Sequence, residues 1–190
     1  WLLVIVNVAV FFLELTGGDA FIQMWSFIPA RFNQDPFGNF ITIFTSMFMH
    51  AGWLHLGGNM LYLIIFGDNV EDRFGHLKFL FFYILCGIIA MVAQYIVAPL
   101  VTIPNLGASG AIAGVLGAYL VLFPRRKVRV LLWWWIVRLP AIIVIGGWIL
   151  IQLLSGIGTV GTTASANGGV AYMAHIGGFI AGFALTFLLG

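Results

Sequence analysis

Four polar side chains in an otherwise apolar chain have types and spacings suited to acyl transfer. Ser109 lies in Gly107-Ala108-Ser109-Gly110, and His175 in Ala174-His175-Ile176-Gly177-Gly178. A serine hydroxyl becomes a nucleophile when a base takes its proton, and His175 is one of only four histidines available to do so. His55 and Asn59 are four residues apart and share one face of a helix. Both can donate hydrogen bonds to the charge that develops on a carbonyl oxygen, each donor being worth about 2.7–4 kcal/mol in a water-poor site. With the backbone N–H of Ser109 they form a candidate oxyanion hole. Each residue also has a plainer explanation: a serine beside glycine suits a helix contact, a histidine can be satisfied by a carbonyl, and Asn59 can bond a neighbouring helix.

No carboxylate offers itself as a third member. Glu14, Asp19 and Asp35 fall at or outside the first apolar span, and Asp68, Glu71 and Asp72 fall toward the opposite side of the bilayer. The expected unit is therefore a Ser–His dyad, its imidazole oriented by helix packing, and a slow enzyme follows. His50, five residues before His55, is off that face and is read as structural, bracing the first loop. His76, beside Gly75 and Lys78, is read as solvated on the far side. No cofactor and no metal is expected.

The elements that must position these groups follow from composition. At 62% hydrophobic and 7% charged residues, the chain cannot form a soluble fold without large apolar surfaces in water, so lipid is its main solvent. Eight scattered cations are too few to neutralise a row of phosphates, which argues against nucleic acid as a partner. The single cysteine, Cys86, excludes an intramolecular disulfide and reads as a buried structural thiol.

Charges and helix breakers divide residues 1–190, read as one membrane domain, into spans near 1–15, 43–66, 78–98, 108–123, 139–154 and 169–189. The first, Trp1 to Leu13, resembles a truncated span rather than a signal peptide. Six crossings make an all-α bundle with both termini on one side. Arg73, Lys78, Arg125, Arg126, Lys127, Arg129 and Arg138 share that side, with Arg31 alone opposite, so the positive-inside rule makes the termini cytoplasmic. The aromatic segment Thr16–Thr42 is expected to lie in the interface, Trp133–Trp135 to form an aromatic belt, and Ser155–Gly169 to be a flexible outer loop.

Two glycine pairs at four-residue spacing, Gly110/Gly114 and Gly178/Gly182, let the helices carrying Ser109 and His175 approach closely. Both residues lie fourteen positions before the end of their spans, about 21 Å along a helix. They fall at one depth, roughly 10 Å below the outer surface of a 30 Å hydrocarbon slab, so a water-filled opening toward the outside is required.

The sequence closely resembles the rhomboid family of intramembrane serine proteases, through His50-x4-His55-x3-Asn59, Gly107-Ala108-Ser109-Gly110 and Ala174-His175-x2-Gly178 in the family's order. The resemblance covers essentially the whole chain as a six-helix core. It implies Ser109 as nucleophile, His175 as general base and then acid, and His55 with Asn59 as oxyanion stabilisers. It also implies membrane-anchored protein substrates cut in or near their transmembrane segment, lateral entry past the second and fifth spans, and residence in a bacterial cytoplasmic membrane. Two features depart from some relatives. There is no Trp-Arg pair in the first loop, which leaves Arg31 unassigned, and Ala113 stands where an aromatic would stack on the histidine. Two rival readings are a catalytically inactive relative that binds or chaperones membrane segments, and a proton or metal transporter using His50, His55 and His175. The transporter would call for carboxylates within the spans.

Overall fold

The computed structural model describes residues 1–159 and 171–189. The chain opens with α1 (Leu2–Trp25), interrupted at Gly18, whose φ of 57° and ψ of −152° break the helical path. A segment of short turns follows: α2 (Pro29–Gln34), α3 (Pro36–Asn39), α4 (Thr42–Thr45) and a 3-10 turn over Ser46–Phe48. Prolines at the first positions of α2 and α3 suit helix starts, and Asp35 caps α3 by accepting from the Gly38 N–H at 2.9 Å. Arg31 ties this segment to the end of α1, donating to the carbonyls of Gln23 and Ser26, where a cation complements the helix C-terminus.

α5 (Trp53–Tyr62) runs through a π-helical turn (Leu63–Gly67) into α6 (Asp68–Phe74), and α7 (His76–Val97) starts beyond Gly75. α8 (Ser109–Leu122) leads into an antiparallel hairpin of β1 (Lys127–Leu132) and β2 (Trp135–Pro140), with Arg129 opposite Arg138. α9 (Ala141–Thr159) and α10 (Tyr172–Leu189) complete the described chain. α1, α7 and α10 are long and apolar enough to cross a membrane, and Ser109–Leu122 and Ala141–Ile157 are shorter apolar helices.

Several expectations are corrected here. The second span starts at Trp53 rather than residue 43, because residues 42–48 form separate short turns ahead of Gly52. Helix α1 continues into the segment expected to begin at Thr16, and Ser155–Thr159 extends α9 into the expected outer loop; residues 160–169 of that loop lie outside the described residues. The chain is mostly helical rather than wholly so. Lys127-Val128-Arg129-Val130 alternates polar and apolar residues at the strand period, and the β-branched residues on both arms favour extended backbone. The two-residue turn forces Trp133 to a φ of 56°, and Trp133, Trp134 and Trp135 stand out at the hairpin tip, 75–90% exposed.

The core lies where α8 is surrounded. Residues Gly110 to Tyr119 are all buried, a continuous run that only a helix enclosed on every side can show. α8 packs on α10 and α7 with almost no side-chain spacer. A methyl group built on Gly178 would overlap the Gly110 carbonyl, and one on Gly182 the Gly114 carbonyl, so the two backbones are in direct contact. Cys86 is fully buried on α7, where it would obstruct a Cβ on Gly114.

Candidate active site

Ser109 is the first residue of α8, and His175 lies one turn into α10. The glycine contacts hold these helices at the shortest separation backbones allow, and the result is a Ser109 Oγ to His175 Nε2 distance of 2.8 Å, a direct hydrogen bond. Gly110, expected to be structural, presents its carbonyl to Gly178 in this seam, and a Cβ on it would meet the Ala90 methyl of α7 at 2.6 Å. The start of α10 is further braced by Gln94 on α7, whose Oε1 accepts from the Ala174 N–H at 3.3 Å.

Gly107 precedes the serine with a φ of 134°, a backbone conformation that favours glycine. Its N–H donates to the Ser46 carbonyl at 2.9 Å. A side chain there would also be blocked by His55, whose Cε1 and Nε2 would stand 2.9 and 3.0 Å from the added carbon. The His55 imidazole therefore borders the approach to Ser109. Its Nδ1 accepts from the Ala51 N–H at 3.3 Å, which places the proton of the neutral ring on Nε2, the edge that faces Gly107. Asn59, one turn further along α5, is 8% exposed, and its Nδ2 is buried with no hydrogen-bond partner among the described residues.

His50 is 2% exposed and packs edge-on against His55, ring centroids 5.1 Å apart. Its backbone N–H donates to both carboxylate oxygens of Glu14, at 3.1 and 3.0 Å, which joins the loop before α5 to α1. Glu14 is 4% exposed within α1, an unexpected place for a residue read as lying at the edge of the span. His76 is exposed and pairs with Glu71 through Nδ1 at 2.7 Å. Among the described residues no three His, Cys, Asp or Glu side chains converge as a metal site would require.

The sequence reading places the span that forms α9 but gives it no part in the site. To the helix packing expected to orient His175, α9 adds two contacts: Gln152 Oε1 lies 2.7 Å from His175 Nδ1, and the Trp148 ring lies 5.7 Å from the imidazole at an interplanar angle of 39°. Trp148 supplies an aromatic ring beside His175, whereas Ala113 carries only a methyl group. A signal was present, because Gln152 is a lone amide in an apolar span and Trp148 lies four residues before it, on the same helical face.

A cavity of about 20 Å³ adjoins Ser109, bordered by Met47, Met91, Asn105 and Ala174, and space of that order accommodates one water. A larger cavity, about 630 Å³, lies elsewhere, between the start of α1, the π turn and the start of α7, and touches neither Ser109 nor His175.

Comparison with known proteins adds a family assignment. The family model described as "Rhomboid domain" matches residues 38–190. The Bacillus subtilis protein named Rhomboid protease GluP is 30% identical over 193 residues, covering all of this chain and 34% of that protein. Rhomboid protein 1, mitochondrial, of Saccharomyces cerevisiae is 31% identical over 182 residues, covering 93% of this chain and 49% of the relative. Rhomboid-like protein 11, chloroplastic, of Arabidopsis thaliana is 28% identical over 151 residues, 76% of this chain and 51% of the relative. The chain thus spans between about a third and a half of the length of these proteins.

Proposed function

The chain belongs to the rhomboid family of multi-pass membrane proteins, and from that premise we propose that it is an intramembrane serine endopeptidase cutting single-span membrane proteins in or near their transmembrane segment. The observation that carries this reading is the 2.8 Å contact between Ser109 Oγ and His175 Nε2, at the seam of two apolar helices. His175 Nε2 takes the hydroxyl proton as Ser109 Oγ attacks the scissile carbonyl carbon. The carbonyl oxygen, now negative, receives hydrogen bonds from His55 Nε2–H, Asn59 Nδ2 and the Ser109 N–H. Collapse of the tetrahedral adduct breaks the C–N bond, and the imidazolium gives its proton to the leaving amine. Water then attacks the acyl-serine ester with His175 accepting its proton, and collapse of that adduct breaks the C–Oγ bond as the imidazolium returns the proton to Ser109 Oγ. A peptide bond inside a regular helix is sterically closed to Oγ, so substrates with helix-destabilising residues near the cut and small residues at it are favoured.

In this reading residues 1–190 form one domain of six crossings with both termini cytoplasmic, and the site opens to the extracytoplasmic side, with substrate entering laterally past α5 and α9. The apolar α8 and α9 and the α5–π–α6 run support the crossings beyond α1, α7 and α10. The Bacillus subtilis relative supports a bacterial cytoplasmic membrane, and fractionation of the source cells separates that from an organellar one. The rival reading, an inactive family member that binds or chaperones membrane segments, leaves the short Ser109–His175 contact without a purpose.

The test is cleavage of a single-span reporter in proteoliposomes together with fluorophosphonate labelling. Ser109→Ala and His175→Ala are each expected to abolish both signals in folded protein. Absence of any adduct at Ser109 in the unaltered protein supports the binder, and robust cleavage by either variant overturns the dyad.

A further inference from the structure

Between Ala141 and Leu154, Gln152 supplies the only side chain able to accept a hydrogen bond, and it is 8% exposed. Its Oε1 lies 2.7 Å from His175 Nδ1, while the opposite nitrogen of the same ring, Nε2, lies 2.8 Å from Ser109 Oγ. An amide oxygen is purely an acceptor, so this contact requires the imidazole proton on Nδ1. The lone pair of the neutral ring is then on Nε2, facing the serine proton it must remove. A donor in the same place would reverse the arrangement, putting the proton on Nε2 and the lone pair out of reach of Ser109.

We infer that Gln152 is a positioning residue that selects the reactive tautomer of His175 and fixes its ring plane, a task carried from α9 rather than from either helix bearing the catalytic pair. This rests on the Ser–His reading of the proposed function. Trp148, on the same face of α9, packs beside the imidazole with its ring tilted 39° to it, so the amide and the indole both bear on the ring from one helix. In the transition state the imidazole gains a second proton, and the Nδ1–H to Oε1 bond becomes charge-assisted and stronger than in the resting enzyme. An interaction that strengthens along the reaction coordinate acts on kcat and leaves KM nearly unchanged. Because Gln152 is neutral, it orients the imidazolium without the charge stabilisation that a carboxylate provides.

The experiment compares the full chain with Gln152→Met, similar in shape without the amide acceptor, and Gln152→Glu, which keeps an oxygen at that point. Both are assayed on the single-span reporter in proteoliposomes, and ¹⁵N spectra of the histidines are recorded in detergent, with His175→Ala assigning the signal. Gln152→Met is expected to lower kcat roughly tenfold at constant KM. The unaltered protein should show His175 protonated at Nδ1 alone, the methionine variant a mixture of tautomers, and Gln152→Glu a kcat at or above half of the original. Unchanged kcat or an unchanged tautomer in Gln152→Met overturns the inference, as does failure of Gln152→Glu to restore turnover. Should the methionine variant not fold, Gln152→Asn, whose reach is one methylene shorter, is expected to give the same loss, and full activity there overturns the inference equally. Failure of the protease reading is distinguishable: it would appear as absent cleavage and labelling in the unaltered protein, with the His175 tautomer still reporting on Gln152.

Discussion

Asn59→Ala separates stability from catalysis more cleanly than any other single change in the site. Asn59 Nδ2 is buried and bonds to no group among the described residues, so truncating it breaks no hydrogen bond within that set. The cost is then mainly lost packing, and the net change in stability is expected to stay within about 1.5 kcal/mol. In a chain of 190 residues that corresponds to a melting shift of no more than roughly 6 °C. The transition state loses much more. One donor to a developing oxyanion contributes about 2.7–4 kcal/mol, so kcat should fall about 10²- to 10³-fold with KM little altered. Steady-state cleavage of the reporter in proteoliposomes gives the first quantity, and thermal unfolding followed by tryptophan fluorescence gives the second. A folded variant that turns over within about threefold of the original would remove Asn59 from the oxyanion hole. A large loss of stability with proportionate loss of active fraction would refute the account of its unpaired amide.

Gly178→Val drives two methyl groups toward the Gly110 carbonyl, and overpacking of this kind costs about 1–3 kcal/mol or more; a depressed melting temperature and lost Ser109 labelling check it. Glu14→Ala strips both acceptors from the buried His50 N–H and is expected to destabilise by about 1–3 kcal/mol, whereas Glu14→Gln, which keeps one oxygen, should be milder; thermal melts of the pair decide. Arg129 and Arg138 face each other across the hairpin, so Arg138→Glu converts a repulsive pair into an attractive one and should protect the hairpin amides from hydrogen exchange by about 0.2–1 kcal/mol. Trp148→Ala is expected to lower kcat more than Trp148→Phe, because phenylalanine retains a ring against His175; equal rates would sever the indole from the site.

The residues that announce the site in the sequence do so because polar groups are scarce in this chain. Ser109, His175, His55 and Asn59 stand out against apolar surroundings, and glycines at four-residue spacing mark the seam that joins two of them. Gln152 was equally conspicuous by that criterion, but a search for a third member of a catalytic unit looks for a carboxylate, and a neutral amide passes unnoticed. The hairpin was obscured for a different reason. Its three consecutive tryptophans read as interfacial anchors, which hid the alternation of Lys127 to Val130. The π turn over Leu63–Gly67 has no proline or charge to mark it, because an extra residue in a helical turn is settled by packing against neighbours.

The glycine seam between α8 and α10 has a consequence for how a bulky guest is admitted. Where two main chains touch, neither helix can slide past the other without carbonyl oxygens colliding, so the nucleophile and its base travel as a single rigid body. Deformation that makes room must be borne by partners whose grip consists of side chains, which can change rotamer one at a time. Helix α9 reaches His175 through side chains alone, so displacing it would take Trp148 and Gln152 from the imidazole together and leave the base without either contact.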